Sequence, residues 1–314
     1  MSTPALVITY SRFQGLKNVV DSCIRAGVTR IYVCIDGPRD LQTAEIQIQM
    51  RSFLSSIPTS TGTEITVWQR EENLGIAVSV ITAIDWFFSH EESGVILEDD
   101  LEISDSFLKF SENALSFFSQ SEKILMVSGN RYDGNSKTKP VLVSYPQTWG
   151  WATWRHKWLR IRESMIVHPS NNPQSIKGHT KRFWQVGSSR VWAGYIDTWD
   201  LLVAYSMLRE EMYCLLPPEN LVSNVGNDSF STHTTDGSFP IGVPVREIDV
   251  TKIRFDGFVE SPNVIADKFL EQNVFRIHQR HRYINYYKWI GDLKLKRKYR
   301  KDSFIQRLNQ VSLP

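Results

Sequence analysis

The sequence predicts an α/β protein with a mostly parallel, Rossmann-like sheet flanked by helices. Short β-branched apolar runs alternate with helically spaced apolar residues over the first 100 positions or so. Glycine or proline marks most changes of period, and polar residues follow the end of nearly every apolar run. Strand and helix in strict alternation give a parallel sheet covered on both faces.

The elements follow in order. Ala5 to Tyr10 reads as a buried strand, and Leu16, Val19, Val20, Cys23 and Ile24 share a helical stripe that Gly27 ends. Ile31 to Ile35 is a second strand, closed by Asp36-Gly37-Pro38, and a helix runs to about Leu54. Ile65 to Trp68 is a third strand, Asn73-Leu74-Gly75 a turn, and Ile76 to His90 a helix. Val95-Ile96-Leu97 is a fourth strand that runs directly into Glu98-Asp99-Asp100. Residues 124–128 and 214–216 read as further strands, and Asp197 to Arg209 as a helix. In such sheets ligands bind beyond the carboxyl ends of the strands. Arg12, Asp36, Asn73 and the acidic triplet therefore converge on one edge by topology alone.

Length and composition bound the rest. At 314 residues the chain is long enough for one large domain or two fused ones of about 100–200 residues. The expected division is 1–255 as the α/β unit, with 1–125 its nucleotide-binding half and 126–255 its catalytic half. Residues 256–314 form a helical extension made basic by Leu293 to Lys301, a run able to touch anionic headgroups. A formal net charge of +2 gives no case for nucleic acid. Cys23, Cys34 and Cys214 are odd in number and widely spaced, which argues against a disulfide framework or a zinc site. The N-terminus lacks the pattern of a signal peptide, and no run reaches the ~18 apolar residues of a membrane span. The expectation is a cytoplasmic protein, peripheral to the inner face of the membrane if the basic run docks there.

Three adjacent carboxylates at a strand end repel one another. A hard divalent cation, Mn²⁺ or Mg²⁺, removes that cost and can grip a diphosphate. An isolated acidic triplet also suits a helix N-terminus; the apolar strand before this one and the polar groups at neighbouring strand ends favour the metal.

The segment Val95 to Phe107 resembles the metal-site segment of N-acetylglucosaminyltransferase I and related bacterial enzymes of the GT-A glycosyltransferase fold. Weaker blocks follow in matching order: Thr9 to Arg12, Val33 to Gly37, Asn73-Leu74-Gly75, Trp149-Gly150-Trp151, Trp199-Asp200 and Gly226 through His233. The resemblance spans about residues 5–235. It implies Arg12 near base or phosphate, Asp36 on the base, Asp99 towards ribose or sugar, Asp100 on the metal and Glu98 on the donor sugar. It places Asp200 as the general base of an inverting transfer. The implied donor is a nucleotide-sugar, UDP-linked and UDP-GlcNAc-like, and the acceptor a saccharide or lipid-linked saccharide of surface-glycan synthesis. The loop before Asn73, with Arg70 followed by Glu71-Glu72, departs from the family and leaves the donor open, and residues 133–147 have no match.

Asn73 and Gly75 would shape the nucleotide pocket. Trp149 and Trp151 could form a sugar platform, although tryptophans mostly fill cores. His233 could reach the metal or diphosphate, or stand exposed on its polar loop. Asp197 is the rival to Asp200, unless it caps a helix. Two other classes compete: a sugar nucleotidyltransferase, which should carry a Gly-rich basic loop after the first strand where Thr9-Tyr10-Ser11-Arg12-Phe13 stands, and a non-catalytic sugar- or nucleotide-binding module. Oligomeric state is not legible.

Overall fold

The computed structural model describes residues 3–132, 139–167, 178–226, 243–277 and 304–314. Its first half is the expected alternation. β1 (Ala5–Thr9), α1 (Phe13–Arg25), β2 (Arg30–Ile35), α2 (Leu41–Ser56), β3 (Glu64–Gln69), α3 (Ile76–His90) and β4 (Ser93–Glu98) follow one another. The second half adds β5 (Leu101–Ile103), α4 (Asp105–Phe117), β6 (Ile124–Ser128), β7 (Val141–Val143), β8 (Trp151–Trp154), α5 (Arg155–Ile166), α6 (Gly178–Trp192), α7 (Asp200–Glu210), β9 (Tyr213–Leu216) and β10 (Val222–Asn224). Then come α8 (Val264–Phe269), a π-helical turn (Leu270–Val274) and α9 (Phe304–Asn309).

Eight strands form one sheet in the order β3-β2-β1-β4-β8-β6-β9-β7. β1 to β4 pair in parallel, as do β6 and β9; β8 and β7 run against their neighbours. Alternate strand residues enter opposite cores, as a two-sided sheet requires. Leu6, Ile8, Cys34 and Ile96 face α3, α5, α6 and α7, whereas Ala5, Val7, Val33 and Leu97 face α1, α2 and α4. Helix α3 is apolar nearly all round and buried along most of its length, so it lies as an inner helix rather than a surface one.

Trp151, Trp154 and Trp158 have the spacing of one helix face, but the structure departs from that pattern. Trp151 to Trp154 is strand β8, inserted antiparallel between β4 and β6, and the helix starts at Arg155. The described parts of 256–314 pack on the same core: Leu270, Val274, Phe304 and Leu308 are buried in the α3-side cluster. The basic run lies outside the described residues. Cys23, Cys34 and Cys214 are buried free thiols. Among the described residues no helix is long and apolar enough to cross a membrane.

One buried side chain ties the working edge together. Gln47 of α2 is fully buried and donates to Tyr10 O at 2.9 Å and Asp36 O at 2.8 Å, while its own carbonyl accepts from Gln69 at 3.1 Å. It joins the ends of β1, β2 and β3. Gln47→Leu should cost about 1–3 kcal/mol, because two strand-end carbonyls lose their donor. The check is a lower urea midpoint at unchanged slope; an unmoved midpoint would remove the clamp from the account.

Candidate active site

Beyond the carboxyl ends of β1 to β4 lies a cavity of about 410 Å³. Arg12, Asp36, Asn73, Gly75, Glu98, Asp99, Asp100, Trp149 and Asp200 all line it. These come from separate loops, and the fold brings them to one place.

One end of the cavity is built on Asp36. Its Oδ1 accepts from Leu74 N at 3.2 Å and from Arg70 Nη1 at 3.5 Å, and its Oδ2 from Asn73 Nδ2 at 3.0 Å. Burial pushes the Asp36 carboxyl up, against the pull of Leu74 N and Arg70. Arg70 was not anticipated as a builder of this pocket. It is buried, lies over the Trp68 ring at 4.3 Å, and bonds Ser79 and Thr82 on α3. Arg39, which also lines the cavity, bonds Asn73 Oδ1 at 3.0 Å and sits 5.7 Å from the Tyr10 ring centre.

Gly75 opens α3 with φ 72°, a left-handed conformation that suits glycine. A Cβ there would sit 2.3 Å from Asp197 Oδ2. Asp197 is therefore not a base candidate. Its two oxygens accept from Ile76 N at 3.0 Å and Ala77 N at 2.9 Å, capping α3 across 121 positions of sequence. It caps a distant helix, and α7 accordingly starts at Asp200 rather than at Asp197.

The triplet resolves into three environments. Asp99 is fastened to the β1 end: Thr9 Oγ1 donates at 2.7 Å, Tyr10 N at 3.3 Å and Arg12 Nη1 at 3.4 Å. Gly15 packs against its carbonyl so closely that a Cβ would stand 1.9 Å away. Asp100 meets Arg12 at 3.3 Å through Oδ2, while its Oδ1 is buried without a hydrogen-bond partner among the described residues. The β5–β10 pairing brings Gly226 against it, and a Cβ at Gly226 would lie 2.6 Å from Asp100 Oδ2. Glu98 faces the cavity. Burial, then Asp100, Asp99 and Asp200, push its carboxyl well above the carboxylate range. Burial and Asp99 raise Asp100 to about 6.

These residues fit a divalent cation. Arg12 offsets only part of the charge of the crowded acids, and Asp100 Oδ1 is buried without a hydrogen-bond partner among the described residues, which suits a cation ligand. Among the described residues no group of three or more His, Cys, Asp or Glu is arranged to hold a metal by itself. Asp100 would supply a carboxylate oxygen, with phosphate oxygens and water completing the shell.

Asp200 begins α7 and accepts from the Thr198 hydroxyl. Trp151 does not reach the cavity. It is 1% exposed and stacks on the back of Trp199 at 5.8 Å, so it supports the wall without forming it. His233 lies outside the described residues. Sequence reasoning missed Gln147, Thr198, Asn224 and Trp184, all of which line the cavity. They arrive through long-range pairing rather than a local motif; the one available signal was Thr198 beside Trp199-Asp200.

No family model matches the chain, and no curated protein matches it. Solved structures do. A UDP-glucose pyrophosphorylase complexed with UDP-glucose is similar at 10% identity, over 72% of this chain and 94% of that one, with a TM-score of 0.40. A Bacillus anthracis protein described as a glucose-1-phosphate thymidylyltransferase, in complex with sucrose, is similar at 15% identity, over 51% and 74%, with a TM-score of 0.33. HddC from Yersinia pseudotuberculosis is similar at 11% identity, over 49% and 77%, with a TM-score of 0.31. Two of these names belong to the sugar nucleotidyltransferase class, the alternative raised from the sequence. At such identities and scores they do not decide the chemistry, and they do not bear on the specific resemblance to N-acetylglucosaminyltransferase I.

The carboxylate crowding has a measurable cost. The folded pKa of Asp100, about 6, lies above its ordinary 3.8, so the ionised form destabilises the fold. The penalty is absent below about pH 4 and complete above about pH 6. Asp100→Asn should therefore raise the metal-free melting temperature at pH 7.5 by a few degrees, on the order of 1 kcal/mol. The gain should vanish near pH 4. A lowered melting temperature at pH 7.5 would contradict the crowding.

Proposed function

We propose that this chain is a divalent-metal-dependent glycosyltransferase. It moves a sugar from a nucleotide-diphospho-sugar, UDP-GlcNAc-like by the resemblance, to a hydroxyl of a saccharide or lipid-linked saccharide, with inversion. One observation carries the reading: besides the acidic triplet and the hydrogen-bonded Asp36, the cavity holds a further, separate carboxylate, Asp200, at its wall.

Inverting transfer needs both. The acceptor oxygen bonds to the anomeric carbon from one face while the bond to the diphosphate oxygen breaks on the other. The acceptor proton passes to Asp200, oriented by the Thr198 hydroxyl. The departing electron pair stays on the diphosphate. Arg12 and Asp100 stand where that charge develops: Arg12 supplies a cation directly, and Asp100 would hold the metal. Bound Mn²⁺ or Mg²⁺ would supply charge neutralisation to the leaving diphosphate. Glu98, which lines the cavity, can hydrogen-bond a donor-sugar hydroxyl. Asp36 and Asn73 form the base pocket.

The second reading is the sugar nucleotidyltransferase, favoured by the names of two structural neighbours. There the nucleophile is a sugar phosphate, already anionic and in no need of a base, so Asp200 would have no task. That chemistry must also bind a triphosphate. The loop after β1, Thr9-Tyr10-Ser11-Arg12-Phe13, offers one cation and is not the Gly-rich basic loop expected of that class. Donor hydrolysis or transfer without pyrophosphate release separates the two classes.

With a panel of nucleotide-sugars and saccharide acceptors, Asp200→Asn should lose transfer by at least about 10²-fold while keeping metal-dependent nucleotide binding. Asp100→Asn should lose both, and a chelator should stop the wild type. Near-normal transfer by Asp200→Asn would sink the base assignment, and chelator-insensitive transfer the metal.

A further inference from the structure

The cavity has two kinds of wall. Asp36 and Asn73 follow β2 and β3, and the triplet follows β4. Beyond β4 in the sheet stand β8 and β6, and there the lining turns aromatic: Trp149 just before β8 and Tyr132 beyond β6. Trp184 of α6 and Phe275, just past the π-helical turn, complete it. Phe275 packs edge-on to Trp184 at 4.9 Å, and Trp184 stacks on Tyr145 at 5.5 Å. Tyr132 meets Trp149 edge-on at 6.0 Å.

Three features exceed what packing requires. Trp184 is 2% exposed, yet its indole N–H has no acceptor among the described residues. Buried indole N–H groups usually have one. Phe275 lies between a π-helical turn and Arg276 at φ 50°, two backbone states that cost energy and gather at functional sites. The same segment is fastened firmly. Asp267 accepts from Ser144 N at 2.8 Å and Ser144 Oγ at 2.6 Å, and Glu271 from the Tyr145 hydroxyl.

We propose that this aromatic wall is the acceptor subsite, and that residues 264–277 belong to the active site through Phe275. A pyranose ring packs its C–H face on Phe275 and Trp149, and a sugar hydroxyl accepts from Trp184 Nε1. Asp200, which lines the same cavity, faces the nucleophilic hydroxyl of that sugar. The assignment rests on the glycosyltransferase reading above.

The test is saturation-transfer NMR on the full chain with UDP and Mn²⁺, using methyl glycosides of glucose, galactose and N-acetylglucosamine. At least one should show saturated ring C–H protons. Phe275→Leu and Trp184→Phe, which keep bulk, should each weaken that saccharide by about 2–10-fold, the range an aromatic or single hydrogen-bond contact supplies. Stabilisation by nucleotide-sugar with Mn²⁺, read by thermal shift, should stay at the wild-type value in both variants. No ring-proton saturation by any glycoside, or equal affinity in wild type and variants, overturns the subsite. Absence of Mn²⁺-dependent donor stabilisation in the wild type would instead overturn the donor-site reading, so the two failures are distinguishable.

Discussion

The structure depends on holding three carboxylates side by side at the end of β4. Adjacent like charges with little water around them are costly, and proteins keep such groups only where something offsets the cost. Here the offset is partial. Asp99 is satisfied by Thr9, Tyr10 N and Arg12, whereas Asp100 keeps a buried oxygen unpaired among the described residues and burial beside the other acids pushes the Glu98 carboxyl up. The fold appoints one carboxylate to structure and leaves two charged or protonated groups towards a ligand. Much of the rest serves this arrangement: Gly15 and Gly226 allow backbone to close on the acids, and the β5–β10 pairing brings Gly226 there.

The same economy of contacts explains how the half-sites meet. Gln47 joins β1, β2 and β3, which fixes Asp36 relative to the first loop. Asp197 caps α3 from the other half of the chain, and the helix it caps begins beside Asn73. Asp200 lies three residues on from that cap. The position of Asp200 relative to the Asp36 end of the cavity is thus set by a hydrogen-bonded staple rather than by the sheet alone.

The first half of the fold was legible because a parallel strand buried on both faces writes itself as a continuous apolar run, as Val95-Ile96-Leu97 does. The acidic triplet, Asp36, Asn73 and Asp200 were legible for the same reason: they follow strands or open a helix. Trp151 was misleading, since its i, i+3 spacing with Trp154 mimics a helix, and tertiary pairing with β4 and β6 overrode it. Asp197 was misread as belonging to its own helix because a cap donated across 121 residues leaves no local mark. Trp184 and Phe275 were invisible as site residues. A sequence shows an aromatic side chain, but not which cavity it closes.

The central claim is that the acids at the end of β4 form a cation-plus-diphosphate site. Titration calorimetry of a nucleoside diphosphate, with Mn²⁺ present and then removed by chelator, tests it most directly. The account requires nucleotide binding to tighten by at least about tenfold with Mn²⁺, or about 1.4 kcal/mol, and Asp100→Asn to abolish that gain. Equal affinity with and without the metal, or an unchanged gain in Asp100→Asn, would contradict it.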